Sequence, residues 1–322
     1  MVLTWDSTIR EELDMVEQEM RDRVFSEQSL LTEISLYVIG SGGKRIRPAI
    51  ALLSFKANGG KDPAKVIKIA SAFEMIHAAT LIHDDINDAG EFRRGREAAY
   101  KRFGTQRALI AGDFLFVKSF KLGGTFDEKI VDMIADACTS IAESEMLQII
   151  HEQDAETSLK DYLKIIEGKT AKFMEASAMI GAYLAGADSE RMALMGRYGL
   201  NIGIAFQIRD DILDVVGNQA TLGKPRGVDF MDGKPNLVLL YAMADEKVGK
   251  DLKALFLKKG KTKDDLERAM ALVSMTDAVA RARMMVADYT SKAKDAVIEM
   301  GTASSYTRSM EMLADSLEER NI

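Results

Sequence analysis

Two aspartate clusters of identical spacing, Asp84-Asp85-Ile86-Asn87-Asp88 and Asp210-Asp211-Ile212-Leu213-Asp214, hold most of the chemistry this chain could do. Each follows a long apolar stretch with helical spacing, and each sets acids at positions i, i+1 and i+4. On a helix, i and i+4 share a face while i+1 lies about 100° round from i. Six carboxylates aimed into a common space would repel one another strongly without cations. Hard divalent ions that prefer oxygen, Mg²⁺ above all, relieve that repulsion and usually bring a phosphate substrate with them. The pattern therefore calls for a metal–diphosphate clamp in two halves. A calcium loop starting at Asp85-x-Asn87 with Gly90 is excluded, because position five is Ala89 and position twelve is Arg96, where a bidentate Glu is needed.

The cations stand in loops and turns near these acids. Gly42-Gly43-Lys44-Arg45-Ile46-Arg47-Pro48 joins a glycine pair, which permits close backbone approach, to three basic side chains. Arg93-Arg94-Gly95 follows the first cluster; guanidinium forks bind phosphate bidentately and stay charged at any working pH. Lys169-Thr170, Lys224 and Lys234 add donors in or beside breaks in the helical pattern, and His77 lies two turns before Asp84 on nearly the same face. Singly, each has an ordinary reading: a surface Lys or Arg is usually a solvated charge, and a His on an apolar helix is usually a satisfied core residue.

The elements that must hold these residues read as helices. Glycine pairs at Gly42-Gly43, Gly59-Gly60 and Gly123-Gly124 end apolar-periodic stretches as helix C-caps do, and Asp62-Pro63 opens the next helix. Helical stretches are predicted at 6–24, 28–40, 48–58, 63–88, 106–122, 127–151, 158–186 and 189–215, with shorter amphipathic helices over 236–320. Nothing alternates with period two, so no sheet is expected. Residues 217–235 form the one Gly/Pro-rich break. The expectation is one domain over 1–322.

Composition agrees. Only 4 prolines occur in 322 residues, and 47% hydrophobic residues supply a sizeable core. A net charge of −7 argues against nucleic acid as a partner. The single cysteine, Cys138, excludes an internal disulfide, suits a reducing cytoplasm, and reads as a small buried hydrophobe. The first residues, with early acids and no apolar core, do not read as a secretory signal. No uncharged apolar run reaches about 18 residues, so no transmembrane segment and a cytoplasmic protein are expected.

In combination these motifs resemble the trans-isoprenyl diphosphate synthases, the polyprenyl synthetase family. The resemblance runs in order through Gly42–Pro48, Glu74-Met75-Ile76-His77, Leu81–Asp88, Arg93-Arg94-Gly95, Ala111-Gly112-Asp113, Lys169-Thr170-Ala171, Phe206–Asp214 and Leu222-Gly223-Lys224-Pro225. It implies an all-α fold, the isoprenoid synthase type I fold, as a single-domain bundle of roughly 10–14 helices around a deep apolar cavity, usually as a homodimer. It implies a Mg²⁺-dependent head-to-tail prenyltransferase that joins isopentenyl diphosphate to an allylic diphosphate. Three Mg²⁺ per active site are implied, two through the first cluster and one through the second, with Asp84, Asp85, Asp88, Asp210, Asp211 and Asp214 as ligands. The allylic diphosphate would meet Arg93, Lys169, Gln207, Lys224 and Lys234, and isopentenyl diphosphate would meet Lys44, Arg47, His77 and Arg94. Thr170 would stand beside the nascent cation.

Three departures from the family pattern are visible. Gly233-Lys234 is followed by Pro235-Asn236-Leu237 in place of Thr-Leu-Pro, so the role of Lys234 is less secure than that of Lys224. Glu97 stands where a proline is common, and the chain ends without the basic tail of some members. A class I terpene cyclase would lack the second Asp cluster and the basic Gly42–Pro48 segment. A non-catalytic synthase subunit would tend to lose its acids.

Product length is read from the run before the first cluster, at Phe73, Ile76, Ala79 and Thr80. Ala79 and Thr80 are small, where farnesyl-making relatives carry bulky aromatics. Phe73, eleven residues before Asp84, lies roughly 16 Å down a helix at 1.5 Å rise per residue, about the length of an extended twenty-carbon chain. Geranylgeranyl diphosphate is the expected main product, with medium or long chains as the alternative.

Overall fold

A computed structural model describes residues 4–217 and 226–318. Among them, sixteen α-helical segments occur: α1 Arg10–Arg23, α2 Ser29–Ile39, α3 Ile46–Ala57, α4 Ala64–Asn87, α5 Ala99–Phe103, α6 Thr105–Gly123, α7 Glu128–Ile150, α8 Leu159–Ile166, α9 Lys172–Leu184, α10 Ser189–Val216, α11 Val228–Asp232, α12 Leu237–Met243, α13 Gly249–Phe256, α14 Lys263–Ser274, α15 Ala278–Glu299 and α16 Ser305–Glu318. Two of them, α5 and α11, are single turns of five residues, so the expected ten to fourteen corresponds to the longer segments. The all-α expectation holds. The sequence pattern misses one small exception, the hairpin of β1 (Phe92–Arg93) and β2 (Arg96–Glu97). Each strand has two residues, too short for any period to register. The 158–186 stretch is also interrupted, by a π-helical turn at Glu167–Ala171 between α8 and α9. Finally, the region after 236 includes the 22-residue α15, longer than the short helices expected there.

The described chain forms two compact units. The first takes the chain up to Asp136, with Met174–Gly199 and Ala296–Leu313; the second takes Ala137–Phe173, Leu200–Asp295 and the chain from Ala314 on. In the first, α4 is the central element, packed by α1, α3 and α6. Its buried residues run almost all round the helix, from Val66 to Ile82, so it has no solvent stripe until the acidic end. An 18-residue window of α4 is long and apolar enough to cross a membrane, with mean hydropathy 1.3, but 72% of it is buried inside the fold. Close approach of neighbours depends on missing side chains: a Cβ at Gly112 of α6 would run into the His83 ring, and one at Gly181 of α9 into the Ala51 carbonyl of α3.

In the second unit, helix starts are set by side-chain caps. Ser158 accepts from Asp161 N–H at the head of α8, Asn236 from Leu239 N–H at the head of α12, and Thr262 with Asp265 forms a reciprocal capping box on α14. Cys138, on α7, is half-buried rather than fully buried; burial pushes its thiol up to about 11, so it is protonated at neutral pH.

Candidate active site

In the first unit, α4 delivers the first cluster in its last turn. Asp84 is half-buried, Asp85 is buried and Asp88 is exposed. Asp85 faces inward, where Arg93 Nε donates to its Oδ1 at 2.6 Å. Burial pushes the Asp85 carboxyl up, Arg93 opposes that, and the charge of Asp88 adds to it. Arg93 thus reaches the cluster from β1, and the turn that follows explains Arg94-Gly95. Both have positive φ, 52° and 75°, as a two-residue type I′ hairpin turn requires.

The basic loop before α3 is built the same way, from backbone conformation outward. Gly42 and Gly43 have φ of 78° and 140°, and Arg45 follows at 49°. The Arg94 guanidinium lies over Gly43, where a Cβ would collide with it, and donates to the Gly42 carbonyl. Arg45 turns inward to Glu17 of α1 and Glu74 of α4, at 2.6 Å from the latter, and donates to the Ile39 carbonyl. One of the loop's three cations is therefore structural. Its neighbours Lys44 and Arg47 are exposed and half-buried respectively. His77 sits within this field: burial, then the charges of Arg47, Arg94, Arg93 and Arg45, hold its imidazole well below the usual 6.5. That shared field gathers His77, Arg47 and Arg94, three of the four residues expected on isopentenyl diphosphate.

Along the same helix, Phe73, Ile76 and Ala79 are buried and Thr80 is half-buried, its hydroxyl donating to the His77 carbonyl at 2.9 Å. His83 Nε2 stands 3.5 Å from Asp113, which gives Ala111-Gly112-Asp113 a local role: Gly112 admits the ring and Asp113 faces it.

The second unit carries the second cluster on α10, and here the acids differ sharply. Asp210 is half-buried, while Asp211 and Asp214 are buried. Asp211 Oδ2 accepts from the Tyr162 hydroxyl at 2.6 Å and from Leu237 N–H at 2.9 Å, and its Oδ1 accepts from Gln207 at 3.4 Å. Burial and the charge of Asp229 raise the Asp211 carboxyl; those three donors work against the rise. Asp214 receives Val228 N–H at 3.1 Å and Asp229 N–H at 3.3 Å, capping the first turn of α11. Asp229 in turn accepts from Asn236 Nδ2 at 2.9 Å. Lys169 lies in the π turn with Glu145 at 2.5 Å and Gln148 at 2.8 Å, and Thr170 Oγ1 donates to Gln207 Oε1 at 3.0 Å. Lys234 is largely buried and 3.9 Å from Asp232. Lys224 lies outside the described residues.

The donor set is all oxygen, as a hard divalent ion wants. Among the described residues, no three His, Cys, Asp or Glu side chains already converge on one point. Three of the six acids, Asp85, Asp211 and Asp214, have lone pairs committed to protein donors. Within each unit the cluster's carboxylate oxygens fit a hard divalent ion such as Mg²⁺, since a carboxylate that accepts hydrogen bonds keeps further lone pairs. Sequence spacing alone could not show these hydrogen-bond partners; it gave no sign of Tyr162 or Asp229, and it showed Glu74 only within Glu74-Met75-Ile76-His77, without its tie to Arg45. The only available signal was a tyrosine seven residues before Lys169, two helical turns away.

The family model of polyprenyl synthetases matches residues 28–273. The chain is 32% identical to the octaprenyl diphosphate synthase of Haemophilus influenzae, over 96% of this chain and 94% of that protein. It is 38% identical to the geranylgeranyl diphosphate synthase of Methanosarcina mazei over 66% of this chain and 67% of that one. The structure resembles a polyprenyl synthase from Caulobacter crescentus, solved with calcium and isoprenyl diphosphate, at a TM-score of 0.93 and 34% identity, covering 98% of this chain and 97% of that chain. This chain belongs to the polyprenyl synthetase family. It is an enzyme, a trans-prenyl diphosphate synthase.

Proposed function

We propose that the chain makes geranylgeranyl diphosphate, by Mg²⁺-dependent head-to-tail addition of isopentenyl diphosphate to an allylic diphosphate. The observation that carries the length is the placement of small residues, Ala79 and Thr80, before the first cluster, with the bulky Phe73 further down the same helix. Medium-chain synthesis is the second reading, favoured by the octaprenyl diphosphate synthase among its relatives.

Asp84, Asp85, Asp88, Asp210, Asp211 and Asp214 would hold the metal, three Mg²⁺ per site, and Arg93, Lys169, Gln207, Lys224 and Lys234 would bind the allylic diphosphate. Bound there, Mg²⁺ would supply neutralisation of the charge that develops on the departing diphosphate. Fixed cationic side chains would share that charge. Lys44, Arg47, His77 and Arg94 hold isopentenyl diphosphate. With its pKa depressed, His77 meets that substrate as a neutral hydrogen-bonding group, leaving the positive charge to Arg47 and Arg94. The Thr170 hydroxyl, held by Gln207, directs its dipole toward the allylic carbon. Residues 1–322 act as one synthase domain, since the family match runs through segments of both units. The enzyme works in the cytoplasm as a homodimer.

Incubating the purified chain with Mg²⁺, isopentenyl diphosphate and dimethylallyl, geranyl or farnesyl diphosphate tests this reading by product mass. A twenty-carbon main product is expected. A main product of forty carbons would replace it with the medium-chain reading.

A further inference from the structure

The π turn at Glu167–Ala171 is the one break in the long helical run from Leu159 to Leu184, and its cause lies in what touches it. Lys172 N–H reaches back to the Glu167 carbonyl, the i→i+5 bond of a π turn. On one side, Gly168 is pressed against α7: a Cβ there would overlap the Ser144 hydroxyl and crowd the Ser140 carbonyl. On the other, Gly203 of α10 lies against the main chain of Ala171, and a Cβ at Gly203 would come closer to the Ala171 Cα than any real Cβ contact. The turn is therefore wedged between two helices, each contact made possible by a missing side chain.

Gly203 also heads a functional row. Gln207, Asp211 and Asp214 follow it at spacings of four, four and three, so all four share one face of α10. Gln207 takes the Thr170 hydroxyl at 3.0 Å, and Asp211 takes Gln207 and Tyr162. How deep the π turn sits on this row sets where Thr170 and Lys169 stand relative to the second Asp cluster. We propose that Gly203 is a positioning residue for prenyl transfer: its missing Cβ lets the π turn dock on α10 at the depth that brings the Thr170 hydroxyl to Gln207. This rests on the roles of Lys169, Thr170 and Gln207 stated above, and not on product length.

The test is Gly203→Ala, beside Gly181→Ala as the control. The control also forces a Cβ onto main chain, at the Ala51 carbonyl in the first unit, one turn from Arg47, so any effect on the site falls on isopentenyl diphosphate binding and is read in KM, not in kcat. Gly203→Ala is expected to lower kcat at least tenfold while KM for isopentenyl diphosphate stays within twofold. Gly181→Ala is expected to lower the melting temperature, yet to keep kcat within twofold at a temperature where it is folded. In a Gln207→Leu background, Gly203→Ala should cost less than a further threefold, because the contact it disturbs is already gone. Should Gly203→Ala alone fail to fold, Gly203→Ala/Ala171→Gly, which removes one of the crowded atoms, carries the same comparison. The proposal is overturned by a folded Gly203→Ala with kcat within twofold of wild type. It is equally overturned by an undiminished loss in the Gln207→Leu background, or by an equal kcat loss in Gly181→Ala. A wild type that elongates to another length overturns the product assignment and leaves this comparison intact.

Discussion

At the scale of single residues, Asp85, Asp211 and Asp214 each accept hydrogen bonds that hold other parts of their own unit. Asp84→Ala should cut turnover by several orders of magnitude with helicity and melting temperature nearly unchanged, because it removes one of several like charges from the empty protein. Asp211→Ala should behave differently. It strands the Tyr162 hydroxyl and Leu237 N–H, and an unmade buried hydrogen bond costs about 1–3 kcal/mol, so urea unfolding should show a loss in that range besides the loss of activity. Equal stability of the two variants would contradict a structural role for the Asp211 bonds. On the basic side, Arg47→Ala or His77→Ala should weaken isopentenyl diphosphate binding by about ten- to hundredfold, from a charge-assisted contact of roughly 1.5–3 kcal/mol, with far less effect on the allylic substrate. His77 also makes a pH prediction. Its pKa is lower folded than unfolded, so the unfolded chain binds the extra proton first. The stability it supports is full above about 6.5 and is lost as pH falls from there through the folded pKa. Urea midpoints at pH 7.5 and 5.5 should therefore differ less in His77→Asn than in wild type.

At the scale of elements, α4 joins chemistry to product length. Ala79→Phe or Thr80→Phe should shift products to fifteen carbons or fewer, and Phe73→Ala should lengthen them; mass analysis of the extracted products decides it, and an unchanged spectrum in all three places the floor on another helix. Much of this element was legible beforehand. Apolar spacing marked the helix, and the acids with His77 marked its functional end. Elsewhere, legibility failed for identifiable reasons. Arg45 and Arg47 look alike in sequence, and only the left-handed backbone at Arg45, with Glu17 and Glu74 waiting, sends one inward. The π turn leaves no periodic trace, since one extra residue within a 26-residue helical run looks like helix throughout. Its signal was two glycines, Gly168 and Gly203, whose partners are distant in the chain. The two-strand hairpin was visible only as Arg94-Gly95, a turn without strands long enough to announce it.

At the scale of the whole molecule, ligand binding should appear as stability. Mg²⁺ with a non-reactive diphosphate at one hundred times its Kd should add about 2.7 kcal/mol, and calorimetry should show the shift in wild type and not in Asp84→Ala. Sedimentation equilibrium should give twice the 35.5 kDa chain mass for the proposed homodimer. The interleaving of the two units bears on how the protein is made. The first unit, which carries Asp84, Asp85 and Asp88, closes with Ala296–Leu313, where Ser309 meets the Thr8 hydroxyl at 2.9 Å and the Met310 carbonyl accepts the buried Tyr198 phenol at 2.9 Å. During synthesis, then, Thr8 must wait while the 301 residues up to Ser309 are made, and Tyr198 while the 112 up to Met310 are made. The unit that carries the first acid cluster is thus completed by a segment made more than 150 residues after it, Ala296–Leu313, so order of synthesis and order of assembly differ in this unit.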